Sequence, residues 1–415
     1  MKYIKTVQGA IVTETKKALL TLANGHAYLV DNPPSGAKEL DPEQVGSQVA
    51  DLRDEISDQL VGMNEAVHLL GLGLLSGGNV FLWSLPGAAK STMARLLADG
   101  IEGDFFSLNL GPDTGKNDLF GPPSIAALKQ DKWERAWSRV ATAHIALFDE
   151  WDKASKVVHN QLLTAMEEKT ITTTNGNKDI PLLLGIAAAN DVVDPNPRNA
   201  SWDRLLFRMQ VKYPGSYQTL LDVTGGRKPI QPQLSPEDIQ LIQGWVDYQA
   251  MNLSREVKEK MGEIYAEMKR KGMKVSPRRF VRWARAIVAE AVINGRTTAE
   301  MRDLYTGAYI LWVNPEDMEE VHKIVGASSD PEKAILVQSE ATIENVNQEI
   351  SRLKPETPDV LSIVMNLQTG LNAHRKQLDG IRNGGNMEKK EQLLKQIQEL
   401  NSDLLDKASE FSSAY

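Results

Sequence analysis

The chain of 415 residues contains no cysteine. That excludes disulfides and thiolate metal sites, and says little about compartment. It also has no apolar run near the roughly 20 residues needed to cross a bilayer, so no membrane-inserted segment is expected. The opening stretch MKYIKTVQGAIVTETKK lacks the apolar core of a secretory leader, and a cytoplasmic location is the expectation. A surplus of positive charge is missing too. Lys and Arg number 47 against 55 Asp and Glu, a formal net charge of -8. General attraction to nucleic acid is therefore not expected, although a local basic stripe is not excluded. What is present is a composition 41% apolar and 25% charged, that of a water-soluble globular protein long enough for two or three domains.

Along the chain, residues 1–45 are mixed and turn-rich around DNPPSG, and read as an N-terminal extension. Residues 46–230 alternate between helical and strand patterns. NVFLW, DFFSLNL, IALFDE and LLLGIAAAN are short apolar runs, and KSTMARLLADG and VVHNQLLTAMEE have helical spacing between them. Such alternation predicts an α/β domain, a parallel sheet with helices on both faces. Threonine-rich KTITTTNGNKDIP, around Asn175-Gly176, predicts a hairpin. From 231 the strand signals stop. Ser235, Pro236 and Asp238 form a capping-box start, and Thr297 and Glu300 stand in the same relation further on. Residues 231–315 thus read as a small all-α domain. In 316–415 the period changes to heptads: Leu336, Ile343, Val346, Ile350, Leu353; then Val360, Val364, Leu367, Leu371, Leu378, Ile381; then Leu393, Ile397, Leu400, Leu404. KPETP and NGGN separate the runs, which predicts an antiparallel three-helix bundle with solvated outer faces. It is either a plain packing module or one that docks a partner.

The chemistry starts at SLPGAAKST, residues 84–92. A phosphate-binding loop needs backbone N–H groups turned toward the phosphates, a helix N-terminus, a lysine and a hydroxyl for Mg²⁺. Pro86, Gly87, Ala88, Ala89, Lys90, Ser91 and Thr92 supply this pattern, but Ser84 and Ala89 stand where glycine is usual. Ser84 fits at a strand exit in extended backbone. Ala89 is tolerable if its φ stays negative. The alternative is an ordinary strand–turn–helix connection with a chance Lys-Ser pair. Next, IALFDE ends a buried strand in Asp149-Glu150, where uncompensated charge is costly. A metal ion would compensate: Asp149 would share Mg²⁺ with Ser91, and Glu150 would polarise an attacking water; a solvated strand end is the plain alternative. Asn190, ending another strand at the same edge, would orient that water. Arg204 and Arg208, four apart on an expected helix, share one face from which an arginine could complete a neighbouring subunit's site. Arg278 and Arg279 open a helix of the small domain, from which an arginine could reach a phosphate. Surface ion pairs and solvated basic faces are the bland readings of these arginines.

With those residues in that order, the sequence resembles the AAA+ superfamily, more narrowly the MoxR family and its RavA branch. The resemblance rests on LVGMNEAVHLLGLGLLSGGNVFLWSLPGAAKS, DLFGPPSIAALKQDKWERA, IALFDEWDKASKVVHNQLLTAMEEKTI and DRLLFRMQV, and covers roughly residues 50–315. It implies a nucleotide-binding core, a helical lid, and ATP hydrolysis with Mg²⁺ in a hexameric ring. It also implies chaperone-like work on a client protein, a von Willebrand factor A domain protein above all. Lys90 and Ser91 resemble Walker A, Asp149 and Glu150 Walker B, and Asn190 sensor 1. Arg204 resembles the arginine finger with Arg208 second, and Arg278 resembles sensor 2 with Arg279 as fallback. Members of this family characteristically tolerate alanine before the lysine, whereas Ser84 departs from their usual glycine. The insert DLFGPPSIAALKQ and the threonine-rich hairpin would face a ring's pore. RavA-like members interrupt a triple-helical segment with a small β domain, for which the short connections here leave no room. An assembly switch with little turnover and, on weaker grounds, a nucleic-acid motor are the other readings. The hairpin tip TTTNGNKD, with one lysine and no aromatic, suits nucleic acid poorly.

Overall fold

The computed structural model describes residues 18–23, 26–29, 38–60, 62–84, 87, 89–132, 134–173, 176–190, 200–211, 228–353, 360–381 and 387–413. The chain divides into two compact units, 1–321 and 322–415.

In the first unit, β1 (Ala18–Ala23), β2 (His26–Leu29) and β3 (Lys38–Leu40) make a small antiparallel sheet in the order β2-β1-β3. Helix α1 (Pro42–Gln59) starts at Asp41, whose carboxylate accepts from the Glu43 and Gln44 amides, with Pro42 as the first helical residue. It buries Val45, Val49, Leu52 and Ile56, three or four residues apart. α2 (Asn64–Ser76) stops at Gly77 in the left-handed region, φ 66°. Strands and helices then alternate as the spacing predicts: β4 (Val80–Trp83), α3 (Lys90–Gly100), β5 (Phe105–Asn109), two short helices α4 (Lys116–Phe120) and α5 (Ile125–Leu128), β6 (Ile145–Asp149), α6 (Lys156–Glu168), the hairpin β7 (Thr170–Thr173) and β8 (Gly176–Asp179), β9 (Leu184–Ala189), α7 (Ala200–Arg204) and β10 (Phe207–Gln210).

The five-stranded sheet runs β10-β4-β9-β6-β5, and every neighbouring pair is parallel. β4 and β9 are buried along their whole length, which explains apolar runs without alternation. The chain leaves β4, jumps to the far edge at β5, works back through β6 and β9, and crosses to β10. β4 is the strand at which the winding reverses, and in open parallel sheets ligands bind beyond the carboxyl ends of strands at such a switch point.

The all-α part of this unit comprises α8 (Pro236–Met251), α9 (Arg255–Arg270), α10 (Pro277–Ile293) and a 3₁₀ stretch, Met301–Tyr309. The Ser235–Asp238 capping box forms as its spacing indicates. The second expected box does not: the Glu300 amide donates to the Asp303 carboxylate, so the pair is shifted by three residues from Thr297–Glu300. Asp303 is also gripped by both terminal nitrogens of Arg296, which a helical-spacing rule does not register. α1 crosses α10 at backbone contact, because a Cβ on Gly46 would lie 2.0 Å from the Val292 carbonyl oxygen. α11 (Met318–Ser329) follows.

In the second unit, α12 (Pro331–Arg352), α13 (Val360–Asp379) and α14 (Met387–Ser413) pack pairwise. Their core holds the heptad positions read from the sequence, with Ile350 and Leu367 only partly buried at its margin. The connecting KPETP and NGGN segments fall outside the described residues. One polar layer interrupts the apolar seam: His374 meets the Ser339 hydroxyl at 3.1 Å and the Thr342 hydroxyl at 2.9 Å. The outer faces are less uniformly polar than expected, since Leu361, Met365 and Leu405 are exposed. Among the described residues no helix is long and apolar enough to cross a membrane.

Candidate functional site

The exits of β4, β6 and β9 lie at one edge of the sheet because those strands are parallel neighbours or next-neighbours. The Ser84 amide extends the ladder one step past β4 by donating to the Ala189 carbonyl at 3.1 Å. Ser84 is buried and is not among the residues with positive φ, so the backbone there does not require glycine. Lys90 opens α3 and is only 7% exposed. Its Nζ donates to the carbonyls of Ser84 at 3.3 Å and Ala189 at 3.0 Å, which ties the exits of β4 and β9 together. Burial lowers its pKa, while Asp149 and Asp152 pull the other way.

Ala89 breaks the condition set for it by the sequence. Its φ is 51° and ψ 17°, in the left-handed region rather than at negative φ. An L-residue there costs roughly 1–2 kcal/mol because Cβ crowds the carbonyl oxygen. The conformation nevertheless starts the helix, since the Ala89 carbonyl accepts from the amides of Thr92 and Met93, both at 3.0 Å. With Gly87 at φ 92°, two positive-φ residues precede a helix N-terminus, the geometry of an anion-binding turn. Ser91 is exposed and Thr92 half-buried. Pro86 and Ala88 lie outside the described residues.

Asp149 ends β6 half-buried, and its Oδ1 accepts the Glu150 amide at 2.8 Å. Glu150 is also left-handed, φ 53° and ψ 39°, a strained turn of the sort that accumulates at functional sites. Its carboxylate pairs with Lys153 at 2.8 Å, and that hydrogen bond raises the pKa of Lys153. Asn190 is exposed, one residue beyond the Ala189 carbonyl that holds Lys90. Lys90, Asp149, Glu150 and Asn190 thus sit at the exits of three adjacent strands. The Ser91 hydroxyl and Asp149 carboxylate are hard oxygen donors that suit Mg²⁺, which takes one or two protein ligands beside phosphate oxygens. The buried ammonium and the positive-φ turn suit the phosphates. Among the described residues no cluster of three or more His, Cys, Asp or Glu could hold a metal by itself.

Two of the four arginines are not where the sequence reading puts them. Arg208 lies on β10, not on a helix with Arg204, and is 1% exposed. Its guanidinium donates to the carbonyls of Leu205, Trp312 and Trp202, and stacks over the rings of Trp202 and Trp312. It is a core cation and does not reach a neighbouring chain. Arg279 is 0% exposed and donates to the carbonyls of Leu205, Leu206 and Ile310. Its terminal nitrogens are spent inside the fold and its Nε is buried, so it is no alternative to Arg278 for a phosphate. Arg204 closes α7 at 24% exposure and Arg278 opens α10 at 46%. Both contact Glu167, as does Arg282. Glu167 and Arg282 were missed by sequence reasoning. The i,i+4 spacing of Arg278 and Arg282 was a usable signal; for Glu167 there was none.

A parallel sheet ordered β10-β4-β9-β6-β5, a phosphate-loop turn at the reversal strand and an acidic pair two strands away define an AAA+ nucleotide-binding fold. Comparison narrows the class. Residues 47–238 match the family model described as the MoxR domain in the MoxR-vWA-beta-propeller ternary systems, and residues 252–325 match that of an AAA lid domain. The chain belongs to the MoxR family of AAA+ proteins. It is 25% identical to an uncharacterized protein of Methanocaldococcus jannaschii over 74% of this chain and 82% of that one. It is 30% identical to Chaperone MoxR1 of Mycobacterium tuberculosis over 44% of this chain and 48% of the relative. The crystal structure of a candidate ATPase from Cytophaga hutchinsonii shares the fold, with TM-score 0.57 and 21% identity over 69% of this chain and 94% of that one.

Proposed function

We propose that the chain binds ATP with Mg²⁺ and hydrolyses it as a hexameric ring in the cytoplasm, and that turnover remodels or matures a partner protein bearing a von Willebrand factor A domain. The observation that carries the reading is the convergence of Lys90, Asp149, Glu150 and Asn190 at the switch-point edge. Lys90 and the turn before it would hold the phosphates. Ser91 and Asp149 would hold Mg²⁺, which supplies charge neutralisation on the phosphate oxygens when bound. Glu150 takes a proton from water that Asn190 orients, and Arg204 serves the site of a neighbouring copy. The partner class is supported by the vWA component in the description of the matching family model. The three-helix unit favours the RavA-like branch, with residues 46–230 as core, 231–315 as lid and 316–415 as a recruitment or ring-bracing module. Nucleic acid is not the expected partner, given the net charge of -8.

The Glu150–Lys153 ion pair favours a second reading, a nucleotide-dependent assembly switch, because a carboxylate held at 2.8 Å by an ammonium must leave it before it can reach water. One experiment separates the two. Lys90→Ala is expected to abolish ATP binding. Glu150→Gln is expected to bind ATP and turn it over about 10²–10⁴-fold more slowly than the parent. If parent and Glu150→Gln bind ATP and turn it over equally in the assembled state, the switch reading holds instead.

A further inference from the structure

Three guanidinium groups from two separate elements converge on the Glu167 carboxylate at the C-terminal end of α6. Arg204, on α7, places its Nε 2.9 Å from Oε2. Arg282, on α10, donates to Oε1, and a terminal nitrogen of Arg278 lies 3.8 Å from the same oxygen. Arg278 and Arg282 are one helical turn apart and share a face. Glu167 is only 13% exposed, so screening by water is weak.

Charge and geometry point the same way. One carboxylate against three guanidiniums leaves two formal positive charges unmatched within the group. Lys169, two residues on, sits in the same field: its ammonium nitrogen is buried with no hydrogen-bond partner among the described residues. Burial, with Arg285 and Arg282 beside it, pushes its pKa down to about 7. Such a surplus favours an anion. The contact to Arg204 is made through Nε, not through the fork. A fork-on grip would occupy the donors that match a phosphate, whereas here the approach is through Nε, and among the described residues neither terminal nitrogen makes a hydrogen bond.

We propose that Glu167 is a positioning residue for nucleotide turnover: it orients Arg204 with its fork free for the terminal phosphate bound by a second copy of the chain, and links that arginine to the lid helix through Arg278 and Arg282. This rests on the reading of Arg204 as acting in trans. A lid displacement that moves α10 is thereby transmitted to Arg204 through one carboxylate.

The test uses the full chain at concentrations where it assembles. Glu167→Gln keeps size and removes charge. It is expected to lower kcat roughly 10- to 100-fold, the cost of a misplaced reacting group, while KM and ATP binding stay unchanged. Glu167→Asp should recover part of the loss. Adding Glu167→Gln to Arg204→Ala should cost nothing further, since both act through one side chain. Mixing Glu167→Gln with Lys90→Ala chains should restore activity, as mixing Arg204→Ala with Lys90→Ala should. Wild-type kcat in Glu167→Gln, or losses that add in the double variant, would overturn the proposal. If Glu167→Gln does not fold, Glu167→Asp decides: wild-type kcat overturns the proposal, and reduced kcat at unchanged KM supports it. Arg204→Ala at wild-type rate would instead sink the trans reading beneath it, so the two failures are distinguishable.

Discussion

In the bundle, Leu371, Leu378, Ile397 and Leu404 repeat at heptad spacing, and all four are buried in one core. At the sheet edge, Lys90 meets the Ala189 carbonyl across 99 residues of chain, and nothing in the intervening sequence is periodic with that distance. The first region is assembled by a local rule repeated three times. The second is assembled by strand order, which no local rule contains. The same contrast holds within five residues at Arg204 and Arg208. One sits at a helix end, its Nε beside Glu167 and its side chain partly exposed; the other lies on a strand between two tryptophans. Residue type and spacing were equal evidence for both, and burial separated them.

The largest expected effect sharpens that contrast. Arg208→Ala removes the donor from three buried carbonyls and opens a cavity between Trp202 and Trp312, a loss of about 3–5 kcal/mol. Arg204→Ala should cost far less stability, because Glu167 keeps Arg278 and Arg282 as partners, and should cost turnover instead. Chemical denaturation beside steady-state kinetics checks both. Equal destabilisation by the two would mean that their environments do not differ as described.

Next comes a break confined to the bundle. Leu371→Ala should destabilise residues 322–415 by about 2–5 kcal/mol. Calorimetry should show one transition moving, with ATP affinity unchanged. A shift in affinity would make the bundle part of the site.

A smaller effect probes the buried charge beside Glu167. Burial, with Arg285 and Arg282 close by, pushes the Lys169 ammonium down from its ordinary 10.5 to about 7 in the folded chain. Below pH 7 the ammonium is protonated in both states, and its burial penalty is fully present. Between about 7 and 10.5 the unfolded chain binds more protons, so this group makes stability rise with pH. Lys169→Met is expected to stabilise by about 1–3 kcal/mol at pH 6, and the gain should shrink toward pH 10. Melting curves across that range test the sign; a gain that grows with pH would contradict the buried ammonium.

The smallest effect belongs to Ala89. Glycine adopts φ 51° without the Cβ clash, at the cost of a more flexible unfolded chain. Ala89→Gly should therefore stabilise by up to about 1 kcal/mol and leave ATP binding intact. Destabilisation by glycine would show that the methyl group packs usefully in the turn.

Much of this molecule could be read from short stretches. The buried runs at 80–83 and 145–149, the Ser235–Asp238 cap, the threonine-rich hairpin and the heptads all became the elements expected. Each depends on residues within a turn or two of one another, where propensity, capping and periodicity act. The shifted cap at Glu300 marks the limit, because a bidentate arginine competing for Asp303 is invisible to an i,i+3 rule.

By itself, then, the sequence determined which segments become strands and helices, the seam of the bundle, and the residue types that can meet phosphate and Mg²⁺, since these follow from local sterics and side-chain chemistry. Tertiary structure alone decided that Arg208 and Arg279 are spent on buried carbonyls, that Ala89 and Glu150 are left-handed, and that three arginines share Glu167. Those outcomes depend on which distant surfaces exclude water from which donors, a property of packed elements rather than of any short stretch of chain.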